Sequence, residues 1–403
     1  MVDANRTFVI VGGGLAGAKA AETLRSEGFT GRVILIGDER DHPYERPPLS
    51  KGYLAGKDER DSAFVHEPAW YARADIELHL GQVVTSVDRA GRSVQLGDNT
   101  VVHYDKLLLA TGAEPRRLDI PGTDLVGVHH LRRLAHADRL RNVLSALGRD
   151  NGHLVIAGGG WIGLEIAASA RKSGVAVTLF EQQPALCMRS VSGEVSQRLE
   201  ALHREQGVDI RTGCGALELE DDNGLPVIHC DGQREIFDAV VVGIGVDLNL
   251  ELARDAGLKT GRGIVVDAQG RTSDPYIFAA GDVAQHHHYG LCIQSWAFAQ
   301  NQAVATAKAM LNPDAPGYDD APWLWSDQYQ HNIQILGIPQ PGSRTVVREE
   351  ALYFSLDDNG RLTQLVAFND ARTVKLAKRW MAAGRDLSDV PLGDPAFSLM
   401  SLR

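Results

Sequence analysis

Six glycines are spaced to bind phosphate. Gly12, Gly14 and Gly17 stand at i, i+2 and i+5 in Phe8-Val-Ile-Val-Gly-Gly-Gly-Leu-Ala-Gly17. Gly158, Gly160 and Gly163 repeat that spacing in Leu154-Val-Ile-Ala-Gly-Gly-Gly-Trp-Ile-Gly163. In each copy an apolar β-type run enters the turn and an Ala/Leu-rich segment leaves it. The first glycine permits the tight turn, the second lets backbone approach a pyrophosphate, and the third lets helix pack on strand. The helix N-terminus then offers N–H donors and a positive dipole end to the anion. One such motif is a weak sign, and two in the same context are a stronger one. The bland alternative is a pair of glycine-rich turns with no ligand. Two dinucleotides on one chain point to electron transfer between them, usually between NAD(P)H and FAD.

Carboxylates follow each motif. Arg32–Ile36 is expected to be the second strand of the first unit, and Asp38, with Glu39 as second choice, is placed to hold a ribose hydroxyl pair. Val175–Phe180 is the matching strand of the second unit, with Glu181 at its end, 18 residues past Gly163. A carboxylate there binds the adenosine 2′-hydroxyl and repels a 2′-phosphate. Gln182 and Gln183 offer no cation for a phosphate, so NADH is expected over NADPH. Asp282, closing Asp274-Pro-Tyr-Ile-Phe-Ala-Ala-Gly-Asp282, could reach ribityl hydroxyls.

The remaining composition narrows the chemistry. Cys187, Cys214, Cys230 and Cys292 are scattered, with no C-x-x-C or C-x4-C. That argues against a disulfide framework, a zinc or iron–sulfur site, and a redox-active dithiol beside a flavin. His286-His-His288 has no carboxylate or Cys spacing to support a metal, and none is expected. A net charge of -11 argues against nucleic acid. It leaves open a small acidic protein partner steered by local basic patches. No run of 18 apolar residues is present, so no membrane span is expected. The first strand begins close to Met1, so a cytoplasmic location is expected.

At 403 residues the chain suggests two or three domains. Helices are expected over Leu15–Arg25, Asp138–Leu147 and from Ile162 to near Gly174. Leu107–Gly112 and Val240–Val246 read as strands ending in Gly turns, His129–Arg132 as a short strand, and Pro115–Pro121 as a linker. Pro43-Tyr-Glu-Arg-Pro-Pro-Leu-Ser-Lys51 reads as stiff and extended. Composition alone leaves it either a wall beside a flat ring or a plain loop. Past Pro322 the aromatic-rich Trp323–Tyr329, four further strands and a helix over Arg372–Ala383 read as an antiparallel α+β region.

On these residues the chain resembles the FAD-dependent NADH:ferredoxin reductases that feed bacterial oxygenases, of glutathione-reductase-type fold. The signatures are Gly12–Gly17, Pro43–Lys51, Ala110-Thr-Gly112, Gly158-Gly-Gly-Trp-Ile-Gly-Leu-Glu165, Ala280-Gly-Asp282 and Trp325-Ser-Asp-Gln328. The Pro-Pro-Leu-Ser-Lys segment separates this group from dithiol reductases, though apoptosis-inducing-factor-type flavoproteins share it. The resemblance implies an α/β fold with two Rossmann-like domains, at 1–115 with 246–322 for FAD and at 116–245 for NAD, plus an α+β domain at 323–403.

It also implies roles. FAD is assigned to Gly12, Gly14, Leu15, Ala16, Gly17, Asp38, Arg46, Lys51, Val84, Ala110, Thr111, Gly112, Arg132, Asp282 and Trp296. NADH is assigned to Gly158, Gly160, Ile162, Gly163, Glu165, Glu181, Arg189 and Gly245. Trp161 stands where a smaller residue is usual. Lys51 and Glu165 are expected as a catalytic pair, because a carboxylate keeps an ammonium ionised in a partly buried site. Electrons would leave singly to a [2Fe-2S] ferredoxin and on to a Rieske dioxygenase or haem-thiolate monooxygenase, from a monomer or weak dimer. The competing readings are an NADH oxidase, a coenzyme-A disulfide reductase, which usually carries a Cys near residue 45, and an apoptosis-inducing-factor-like NADH sensor. Two basic stretches are candidate docking surfaces: Arg372, Lys375, Lys378 and Arg379, and Arg116, Arg117, Arg132, Arg133, Arg139 and Arg141.

Overall fold

The computed structural model describes residues 4–117, 127–215, 218–222, 225–230 and 233–402. The expected linker at Pro115–Pro121 lies partly outside them. The chain divides into two compact units. The first comprises Met1–Glu45, Arg60–Glu114 and Val246–Asp320, the second Arg46–Glu59, Pro115–Gly245 and Ala321–Arg403.

The first unit is built on a five-stranded parallel sheet. Thr7–Val11 lies at its centre between Arg32–Gly37 and Lys106–Leu109, with Ile76–Leu80 and Ile277–Ala279 at the edges. The three central strands are nearly continuous apolar runs because both their faces are covered. Phe8 and Ile10 pack into one core with Leu24 of the helix Leu15–Ser26 and Ala303 of the helix Trp296–Leu311. Val9 and Val11 face the other way, into a core with Val84, Val94 and Leu96 of a small antiparallel sheet. Full burial of each such side chain contributes roughly 1.5–3 kcal/mol.

The second unit repeats the plan. His153–Ala157 lies between Ala176–Glu181 and Ala239–Val242, all parallel, with Val208–Thr212 and Val128–His129 outermost. Helices Leu134–Asp150, Trp161–Lys172 and Gly193–Glu205 belong to the same unit. Its last part is a five-stranded antiparallel sheet in the order Trp323–Gln328, His331–Gly337, Leu362–Phe368, Leu352–Leu356, Arg344–Arg348. The helix Ala371–Ala382 lays Val374, Leu376, Ala377 and Trp380 into that sheet's core.

One expectation changes. Pro47–Ser50 is a 3-10 turn rather than extended, because the proline ring pre-sets a helical φ at the first position of a turn. The Arg46–Glu59 segment groups with the second unit rather than with the sequence flanking it. Leu54 is buried there with Leu140 and Leu144. The strand at Val240 stops at Val242, and Gly243–Gly245 form a turn before Val246–Leu248. Among the described residues no helix is long and apolar enough to cross a membrane.

Candidate functional site

In the first unit, Gly12 has φ +125°, and a Cβ there would stand 2.0 Å from the Ala110 carbonyl oxygen. This is where the ends of the two central strands converge, the place where an open parallel sheet binds its ligand. A Cβ on Gly17 would meet the Gly12 oxygen at 2.0 Å, so helix and turn are in close contact. Gly14 faces open space. It caps the helix Leu15–Ser26 with no side-chain hydrogen bond and no acid in the first turn. A bare, positive helix end fits a diphosphate. Leu15 and Ala16 are buried in that first turn.

Around this turn, Asp38 is exposed just past its strand, while Glu39 accepts the Tyr44 hydroxyl at 2.6 Å. Val84 and Ala110 are buried. The Thr111 hydroxyl donates to the Asn249 carbonyl, and the Asn249 amide returns a bond to Thr111, both at 2.8 Å. Gly112 has φ +66°. Asp282 lies half-buried in the 3-10 turn Gly281–Val283, pinned by Gly281 N–H donating to Gln302 at 2.9 Å. Trp296 opens a helix capped by Ser295.

The second unit mirrors this turn. Gly158 has φ +115°, and its Cβ would lie 2.4 Å from the Gly243 oxygen; that of Gly163 would lie 2.2 Å from the Gly158 oxygen. Gly160 faces open space on an uncapped helix. Ile162 beside it is 46% exposed, unusual for an isoleucine in a helix first turn. Glu181 is held at the loop. One carboxylate oxygen accepts from Gly159 N–H at 2.6 Å, the other from Gln183 N–H at 2.7 Å. Arg189 is exposed. Gly245, at φ +106°, accepts from Arg116 N–H at 2.9 Å. Both glycine turns fit a dinucleotide diphosphate.

Glu165 faces inward from the helix Trp161–Lys172 and is 2% exposed. Lys51 Nζ is 2.8 Å from one of its oxygens, which also accepts the Ser50 hydroxyl. The other oxygen accepts from Ser326 Oγ at 2.7 Å. Three donors from two other elements thus satisfy a buried carboxylate that would be costly alone. The Lys51 ammonium lies 5.9 Å from the centre of the Trp325 ring. Arg46 donates to the Arg132 carbonyl at 2.6 Å, bringing those two residues together.

Ser50, Ser326 and Gly243 carry parts of this geometry that were not singled out from the sequence. Both serines sit inside the quoted signatures. The signal for Ser326 is strand alternation, which puts it on the inward face while Asp327 is exposed.

Cys187, Cys214 and Cys292 are free. Burial, with Glu181 and Glu165 nearby, raises the Cys187 thiol well above its usual range. Cys292 is pushed up to about 11, chiefly by burial. Neither is poised as a thiolate nucleophile. The fold also brings Asp319 to His286 and His287, with ligand-type atoms within 4.8 Å of one another. That carboxylate was invisible in the spacing around His286–His288. The two imidazoles stack at 13°, and His286 Nδ1 accepts from His288 N–H at 3.2 Å.

Two Rossmann-like units, each with its own glycine turn, define a two-nucleotide oxidoreductase. The chain belongs to the pyridine nucleotide-disulphide oxidoreductase family, whose profile matches residues 6–303; a reductase C-terminal profile matches 323–403. FAD and NAD(H) are the cofactors this membership carries. The chain is 39% identical to the ferredoxin–NAD(+) reductase component of the anthranilate 1,2-dioxygenase system of Burkholderia cepacia, across 97% of this chain and 98% of that one. It is 41% identical to putidaredoxin reductase of Pseudomonas putida, across 86% and 84%. Among solved structures, the covalent putidaredoxin reductase–putidaredoxin complex matches with a TM-score of 0.94 at 36% identity, covering 99% of this chain and 98% of that one.

Proposed function

We propose that this protein is an NADH-dependent ferredoxin reductase supplying an oxygenase. The observation that carries the reading is the buried Lys51–Glu165 ion pair. The full-length likeness to an oxygenase-system reductase component supports it. When bound, the cofactors supply hydride acceptance from NADH and release of electrons one at a time. The chain's own residues do the rest. Gly12–Gly17, with Asp38, Val84, Ala110, Thr111, Gly112, Asp282 and Trp296, hold FAD. Gly158–Gly163, with Glu181, Arg189 and Gly245, hold NADH. Glu181 selects the 2′-hydroxyl, and its anchoring to Gly159 supports that role. Glu165 holds the Lys51 ammonium in place at 2.8 Å, and that cation favours an anionic reduced flavin. Arg46 and Arg132 serve the same cofactor. The partner is a [2Fe-2S] ferredoxin, met through a basic face.

Cytochrome c reduction by NADH tests the reading. It should be fast only when a [2Fe-2S] ferredoxin is added. Rapid oxygen consumption without ferredoxin would favour an NADH oxidase. Negligible turnover with a long-lived charge-transfer band would favour an NADH sensor.

A further inference from the structure

Behind Glu165 a file of buried polar side chains runs through the second unit. Ser326, Gln328 and His203 are all fully buried. Gln328 Nε2 donates to Ser326 Oγ at 3.0 Å, and Ser326 donates in turn to Glu165 at 2.7 Å. His203 Nε2 lies 2.9 Å from Gln328 Oε1. An amide oxygen only accepts, so this nitrogen carries the hydrogen. His203 Nδ1 is then the acceptor, and the Tyr329 hydroxyl donates to it at 3.0 Å. Burial pushes His203 down to about 4, consistent with a neutral ring of this single tautomer.

Every bond in the file points the same way: Tyr329 to His203, His203 to Gln328, Gln328 to Ser326, Ser326 to Glu165. It ends on the carboxylate that also takes Ser50 and Lys51. Aligned donors polarise one another in a low-dielectric interior. The amide of Gln328 does not hand a proton on without becoming an imidic acid. The file therefore carries polarisation and not protons. Its geometry comes from strand alternation: Ser326 and Gln328 share the inward face of Trp323–Gln328, and the helix Gly193–Glu205 brings His203.

We propose that Ser326, Gln328 and His203 are positioning residues that orient the Glu165 carboxylate and share its charge with Lys51, and so set how tightly it grips that ammonium. The proposal rests on the function read above only where it concerns the flavin.

Two readouts test it on the FAD-loaded protein. The first is acylation of Lys51 by acetic anhydride at one fixed pH, read by mass spectrometry; only the neutral amine reacts. Ser326→Ala leaves the Glu165 charge to Lys51 and should slow Lys51 acylation by up to about tenfold, the scale of one hydrogen bond to a charged group. Gln328→Met should slow it less, and Ser326→Thr should restore the wild-type rate. On a Glu165→Gln background, Ser326→Ala should add nothing, since the file acts through Glu165. Unchanged acylation in Ser326→Ala, or an equal effect on both backgrounds, overturns the proposal. If Ser326→Ala loses its fold by thermal melt, Gln328→Met makes the same comparison one bond further away. The second readout is the flavin midpoint potential. Lys51→Met and Ser326→Ala should both lower it. If Lys51→Met leaves it unchanged while acylation still responds to Ser326→Ala, the assignment of Lys51 to the flavin fails and the file stands. If only Lys51→Met shifts the potential, the file fails.

Discussion

Glu181 commits both carboxylate oxygens to backbone N–H groups, at Gly159 and Gln183. Among the described residues no basic side chain pairs with it, so a 2′-phosphate would meet an anion held in place. Glu181→Ala should raise the KM for NADH by about tenfold, the loss of a charge-assisted bond, and narrow the preference over NADPH. Steady-state kinetics with both nucleotides check this; a wild type that already prefers NADPH contradicts the assignment. The glycines were legible because backbone geometry alone demands them: Gly12 and Gly158 stand at φ +125° and +115°. The Lys51–Glu165 pair was legible only through resemblance. The Ser326 bond was not legible at all, because it joins residues more than 150 positions apart, and no local pattern encodes that meeting.

The two glycine-led helices should fail separately. A Cβ at Gly17 or Gly163 stands within 2.2 Å of a backbone oxygen, and backbone has little room to yield. Gly17→Ala should therefore yield protein depleted of FAD, seen in its visible absorbance. Gly163→Ala should retain the yellow colour but lose NADH affinity, by titration. The C-terminal helix is a third test. Arg372, Lys375, Lys378 and Arg379 lie on its exposed side, opposite Val374, Ala377 and Trp380. If this face meets an acidic ferredoxin, cytochrome c reduction through ferredoxin should fall steeply between low and high salt while flavin reduction by NADH does not. Among the described residues four α-helices escaped the sequence reading, two of them the short Pro68–Arg73 and Glu251–Asp255. Gly193–Glu205 carries Val195, Leu199 and Leu202 at helical spacing, but scattered among charges. Trp296–Leu311 is alanine-rich and buried broadly, so no apolar stripe marks it. The Pro-Pro turn was misjudged because two prolines fit a 3-10 turn as well as an extended run.

Across the molecule, buried neutral histidines tie stability to pH. Burial depresses His203 and His286 from 6.5 to about 4. A base whose folded value is depressed lends stability above its unfolded value, and that stability is lost as pH falls through the folded value. For His203 this amounts to roughly 3 kcal/mol, lost between about pH 6.5 and 4. The melting temperature should fall by several degrees over that interval, and His203→Gln should flatten the decline. The order of the strands has a consequence for synthesis. Lys106–Leu109 is flanked by Thr7–Val11 and by Ile277–Ala279. About 170 residues separate that strand from its second neighbour. At roughly 5–20 residues per second, a ribosome takes on the order of ten to thirty seconds to deliver it. Throughout that interval the nascent chain carries an apolar strand edge without its final neighbour, a natural place for a chaperone to bind.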